Sequence, residues 1–430
     1  GAGVAGSTFA FELSRRARAA GVPAPRVELF EMGRAPGGRA STRRTREFPT
    51  FAADHGAPFF HASDLNVLAL LQRLQQISPP AVEPFHRAEI VDVRATRSTA
   101  TTTWVTTSRS AKCKEGSSAQ ANDVSGSSFV GRPTMAGLCE QMVKSSGATT
   151  RFQTVVRRVE WQANECVWEL GGGDSGLEPL GAFDVLCVAS ATPAHTRWSS
   201  VFGGEPPVVR AAELLKTPNP ALEEALRKIS AVKAKPVLAL VLAFDGAAAS
   251  AWNALPWTVA EVHGDDVLGR VIIGRHGAAQ GLISLVLHST HEFAMHHASA
   301  GYGRGSAAER IGGASKGCSD AREQVEQSLL ESLARVGVPA WVRAEHASRD
   351  SAVYGPLMHR WGGALPERPA LTHSAAVIPA LKLVFAGDYV GEEVSAKGEE
   401  LSFVERALSS GLHAAGSASE MLRWQKNSAL

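Results

Sequence analysis

The residues able to do chemistry sit mainly at the two ends of this 430-residue chain. Gly1, Gly3 and Gly6, with Ala5 beside the last, spell G-x-G-x-x-G, the loop whose backbone lets a dinucleotide pyrophosphate approach a helix N-terminus. Glu31 follows 25 residues after Gly6, where such a unit keeps the acid that grips a ribose hydroxyl. Far downstream, Gly387-Asp388 ends the apolar run LKLVFAGD. A glycine there lets a ligand come close, and the Asp at a strand's carboxyl end is placed to accept a hydroxyl. His288 lies inside an apolar stretch, and Trp361 and Tyr389 offer flat rings that can wall a cavity by stacking or simply pack a core. His288 reads equally well as a satisfied core histidine. His291-Glu292 and His296 miss the metal-binding H-E-x-x-H spacing by one residue. At ~100° per residue the longer step turns the second imidazole about 140° away, so no metal site is expected.

These residues need elements to hold them. From Ala5 to Ala20 the pattern places Phe9, Leu13 and Ala17 on one helix face, with Gly21 as the stop. RVELFE, 26 to 31, reads as a strand. A parallel βαβ unit requires a first strand beside it, and no residues for that strand precede Gly1, so the chain is expected to be truncated and to fold poorly. FVGRPTMAGLCEQMVKSSG predicts a helix capped by Thr134 and stopped at Gly147. TTRFQTVVRRVEWQ, 149 to 162, alternates as one strand with CVWEL as its hairpin partner, and FDVLCVASATP reads as a buried strand. After Gly387-Asp388 an amphipathic helix carries Ala407, Ser410, Gly411 and Ala414 on one side. In the centre, VKAKPVLALVLAFD, VLGRVIIGR and GLISLVLHST predict the strands of a second domain, and Ser319 to Gly337 a helix with Leu329, Leu330, Leu333 and Val336 inward.

Bulk properties exclude several classes. A net charge of +2 advertises neither nucleic acid nor membrane, and five scattered cysteines build neither a zinc site nor a disulfide framework. The longest apolar run, 236 to 244, falls well short of the ~20 residues that span a bilayer. The phosphate loop of NTPases and the kinase motifs are missing, and the glycine loop with its acid points to chemistry on a bound dinucleotide.

Three further stretches carry a resemblance. E-x(5)-GGR-x-S/T at 31 to 41, D-x-G-A-x-F at 54 to 59 and the GDYVG end at 387 to 391 resemble the flavin-containing amine oxidase superfamily, most closely its renalase-like branch. The resemblance extends weakly through LPW, LVLHST and HRWGGALP. It implies an α/β fold: a Rossmann-like FAD-binding domain, its first strand absent, and a substrate domain on a mixed or antiparallel sheet. The expected division is 1–62, 129–196 and 375–425 for FAD, 63–93 and 197–374 for substrate, with a Thr/Ser-rich insertion at 94–128.

By the same resemblance Gly38, Arg39, Gly56 and Ala57 touch the flavin, Val156 offers its backbone to adenine, and Gly387, Asp388 and Val404 form the distant half-site. His288 would face the flavin ring. Thr134, Ser402 and Arg406 stand where the family often has glycine, and GEEVSAKGEE lengthens the loop before the last helix. The implied activity is hydride transfer from a small-molecule donor, an amine or an NAD(P)H-type dihydronicotinamide, to FAD, with oxygen as acceptor. The alternatives are a flavin-dependent isoprenoid desaturase or reductase, and a non-enzymatic relic of the fold.

Overall fold

The computed structural model describes residues 1–86, 89–94, 107–108, 127–301, 309–310, 319–336, 348–394 and 400–422. Most of the 94–128 insertion therefore lies outside the described residues; within it, Thr107–Ser108 pairs with Ile90–Arg94.

Three helices form the first core. Val4–Ala19 lies between Met135–Ser146 and Phe403–Met421. Gly411 explains the stripe of small residues on the last helix: a Cβ there would stand 2.6 Å from the Ala5 carbonyl and 2.7 Å from Thr8 Cβ. The stripe thus serves close helix packing. Gly147 adopts φ 72° at the C-cap of its helix, as read from the sequence. Thr134 occupies the N-cap without a side-chain capping bond.

The cofactor-side sheet is split. Glu28–Glu31 pairs in parallel with Thr149–Phe152, while Leu186–Val188 pairs in parallel with Leu383–Phe385. Both Glu28–Glu31 and Leu186–Val188 line one long cleft. The expected single strand 149–162 is two strands. Gln153 turns at φ 54°, the N–H groups of Gln153 and Thr154 donate to Gly33 and Glu31, and the chain restarts as Arg158–Gln162 in another sheet. Alternation alone did not show the break because both halves alternate.

The central sheet has seven described strands, in the order Tyr354–Pro366, Ala234–Phe244, Ile283–Ser289, Leu268–Gly274, Val259–His263, Ile90–Arg94 and Thr107–Ser108. Its pairs are antiparallel except for Val259–His263 with Ile90–Arg94, so the sheet is mixed. Successive side chains point to opposite faces. Leu238, Leu240, Leu242 and Phe244 accordingly pack on Val325, Leu329 and Leu333 of the Ser319–Val336 helix, whereas Ala239, Val241 and Ala243 meet Phe51 and Ala53 on the other face.

Packing draws the domain boundaries differently from chain order. Leu65–Gln76 buries Val67, Leu70, Leu71 and Leu74 in the first core beside the opening helix. Pro207–Glu213 and Pro220–Ser230 bury Val208, Leu222 and Ile229 with Trp168, Leu383 and Phe385. Both segments had been expected on the substrate side. Their apolar stripes identify them as helices but not which sheet covers them.

Candidate active site

The G-x-G-x-x-G loop closes on itself and on a second glycine pair. A Cβ on Gly6 would lie 2.0 Å from the Gly1 carbonyl oxygen and 3.3 Å from Ala189 Cβ, so only glycine lets the helix meet the neighbouring strand. Gly3 bridges Gly37, whose N–H donates to the Ala2 carbonyl at 2.9 Å, and Gly38 packs against Gly3. Ala5 is buried behind the loop. Glu31 takes the Ala2 N–H on one oxygen at 2.8 Å and the Gly33 N–H on the other at 2.7 Å. Each oxygen keeps a lone pair for a ribose hydroxyl.

GGR and DHGA, separated in sequence, form one layer. Ala57 N–H donates to the Arg39 carbonyl at 2.9 Å, and a Cβ on Gly56 would stand 1.9 Å from that same oxygen. The Arg39 guanidinium forms a bidentate pair with Asp388, with Nη2 to Oδ1 at 2.6 Å. Burial alone would lower the pKa of Arg39; the Asp388 charge and hydrogen bonds outweigh it and raise the pKa. The strap therefore ties the first motif to the last.

At the distant half-site Gly387 has φ 142°, and its N–H donates to Ser410 Oγ at 2.9 Å. Arg406, an unexpected residue for this position, is buried and reaches the carbonyls of Asp388 (3.1 Å) and Leu401 (2.7 Å). It props the Gly-Asp turn from behind. Ser402 is the N-cap of the last helix, accepting from Glu405 N–H at 3.1 Å, and Val404 in the first turn is buried against the cleft.

The predicted catalytic residues separate into two layers. Trp361 lines the cleft, and its indole N–H donates to the His55 carbonyl at 2.9 Å. His288 is buried one layer behind, where its Nε2–H donates to the same carbonyl at 3.0 Å. The sheet register sets this, since His288 pairs with Ala239 and Arg270 in mid-sheet. Burial, with Arg270 close by, drives its pKa down to about 3, so the ring is neutral. Tyr389 borders the cleft, but its side chain is buried in the core with Leu383 and Phe385, its ring against Gly387, and its hydroxyl donates to the Val188 carbonyl at 2.9 Å. Val156 lines the cleft.

Sequence reading gave no role to His55 or His359, and marked Arg406 only as a departure from glycine. The signals were present: His55 is the variable residue of D-x-G-A, and His359 and Trp361 are alternate residues of one strand, hence on one face. The rings of His55, His359 and Trp361 meet with centroids 4.3–5.1 Å apart.

The glycine loop, Glu31, the Arg39–Asp388 strap, Gly387, Val404 and the ring cluster all border a single elongated cleft of about 1210 Å³. A dinucleotide with a second planar ring fits this arrangement. The glycines leave room where any Cβ would fill the cradle, and the Nδ1 of His55, inside the cleft wall, is buried without a hydrogen-bond partner among the described residues. Fold and cleft define an α/β protein of the dinucleotide-binding class.

Residues 1–74 match the model of the NAD(P)-binding Rossmann-like domain, and residues 97–418 that of flavin containing amine oxidoreductase. The chain belongs to the flavin-containing amine oxidoreductase family. Its cofactor is FAD, and it is an FAD-dependent oxidoreductase. Among curated proteins nothing matches. Among solved structures it is similar to an oxidoreductase from Methanosarcina mazei (11% identity, 95% of this chain and 98% of that one, TM-score 0.54). It is likewise similar to putrescine oxidase bound to putrescine (12% identity, 97% of each chain, TM-score 0.52). At these identities the likeness concerns the fold. Among the described residues no helix is long and apolar enough to cross a membrane.

Proposed function

We propose that this protein oxidises a small-molecule donor by hydride transfer to FAD and returns the electrons to oxygen, and that it belongs to the renalase-like branch. The observation that carries this reading is the ring cluster of His55, His359 and Trp361 bordering the same cleft as Gly387-Asp388. A flat donor, such as a dihydronicotinamide, suits it. The alternative donor is an amine, the substrate class that the family's name carries and that putrescine oxidase binds.

FAD, when bound, accepts the hydride. Every other task falls to the chain. The Gly1–Gly6 loop and the start of the first helix take the pyrophosphate, Glu31 a ribose and Val156 the adenine face; Gly38, Arg39, Gly56 and Ala57 lie along the flavin, and Asp388 takes a ribityl hydroxyl. The N-terminus of Phe403–Met421 offers its positive end to negative charge. His288 and Trp361 clamp the His55 carbonyl from two sides, which fixes the turn that carries Gly56 and Ala57. His288 is thereby a positioning residue in this reading, and Trp361 walls the donor.

Anaerobic rapid mixing of the FAD-loaded protein with an isomeric NADH and with a set of amines is the test. Bleaching of the flavin band by the dihydronicotinamide and not by amines supports this choice of donor; the reverse establishes an amine oxidase, and no bleaching by either removes the reading.

A further inference from the structure

The charges around the ring cluster are lopsided. Arg43 pairs across a hairpin with Ala53, two residues before His55, lines the same cleft, and has its Nε buried without a hydrogen-bond partner among the described residues. Its field and burial act together on both imidazoles. Burial first, then Arg43, lowers the pKa of His55 to about 4 against the opposing pull of Asp54. Burial, His55 and Arg43 all lower that of His359. Both rings are therefore neutral at physiological pH.

The carboxylates near Arg43 do not face the ligand freely. Asp54 keeps its charge but is not among the residues lining the cleft; it accepts from Thr42 Oγ1, the Met135 N–H and His276. Asp388 is held by Arg39, and Glu140 by Arg44. A protonated amine brought to these rings would meet an aromatic face that attracts it, but also the half-buried Arg43 guanidinium that repels it. A carboxylate would instead be drawn to that guanidinium on the cleft wall.

We propose that Arg43, acting with the His55, His359 and Trp361 rings, makes this end of the cleft a charge-selective donor subsite that takes a flat conjugated molecule, neutral or anionic, and turns away a protonated amine. The inference rests on the hydride-donor reading of the cleft. It assigns Arg43 and His55 as specificity-determining residues.

The test titrates benzoate, nicotinamide and benzylammonium into the FAD-loaded protein, followed by perturbation of the flavin absorbance and by calorimetry. Benzoate is expected to bind at least ~10-fold more tightly than benzylammonium, the scale on which close charge pairs alter affinity. Arg43→Gln is expected to abolish that preference with nicotinamide binding unchanged, and Arg43→Lys to retain most of it. Equal or tighter binding of benzylammonium to the unaltered protein overturns the proposal, and so does an unchanged ratio in Arg43→Gln. Should Arg43→Gln fold poorly, the ratio in the unaltered protein and in Arg43→Lys still decides. Failure to retain FAD removes the functional reading itself; retained FAD with benzylammonium preferred removes this inference alone.

Discussion

Replacing Gly56 by Ala tests the joint between the two motifs that sequence keeps apart. The added Cβ would lie 1.9 Å from the Arg39 carbonyl oxygen and 3.3 Å from the Trp361 ring. Non-bonded carbons sit about 3.5 Å from their neighbours, so the GGR and DHGA segments must part by roughly 1.5 Å. Such overpacking costs about 1–3 kcal/mol, and the separation also breaks the Ala57 N–H bond to Arg39, worth ~1 kcal/mol. The sum, about 2–4 kcal/mol, corresponds to a Tm lower by roughly 4–8 °C at ~2 °C per kcal/mol for a domain of this size. The displaced turn also carries the His55 carbonyl that anchors His288 and Trp361, so FAD affinity falls with it. Scanning calorimetry and fluorescence titration of FAD measure both effects. Gly416→Ala is the comparison: this helical glycine faces only the flexible end of Arg16, 3.4 Å away, so the change is expected to raise stability by about 0.5–1 kcal/mol. A Gly56→Ala protein with unaltered Tm and unaltered FAD affinity would refute the packing argument.

Other outcomes follow from the same geometry. His55 and His288 are neutral in the folded protein, with pKa values near 4 and near 3, but titrate near 6.5 when unfolded. The unfolded chain therefore binds more protons, and stability, full above about pH 6.5, falls as pH drops toward 4, by up to ~1.4 kcal/mol per pH unit for each ring. Urea midpoints at pH 7 and pH 5 read this, and His288→Gln should flatten the slope. Burial pushes the Cys139 and Cys187 thiols up to about 12, whereas Cys166 is exposed. Mass mapping after brief iodoacetamide treatment should show Cys166 labelled and the other two protected until denaturant is added.

Much of the cofactor half was legible because its signals are local. Gly6 and Gly147 mark positions where the backbone itself demands glycine, and a helix stripe or strand alternation needs only neighbouring residues. Thus the opening helix, the Glu31 strand, the Gly387-Asp388 turn and the three central strands could be placed from sequence. Gly411 shows where that reading stops: its smallness was visible, but its use, admitting the Ala5 carbonyl and Thr8, depends on a helix some 400 residues earlier in the chain.

The ring-lined wall of the cleft was decided by tertiary structure. Alternation puts His288 on one face of its strand, but only the register with Ala239 and Arg270 places it behind the His55 carbonyl. His55, His359 and Arg43 carry no motif of their own; they become a site because a hairpin and a distant strand converge on one cleft. Spacing along the chain fixes which way a side chain points. What it meets is fixed by strand pairing across hundreds of residues, a long-range choice that burial energy makes for the whole fold at once.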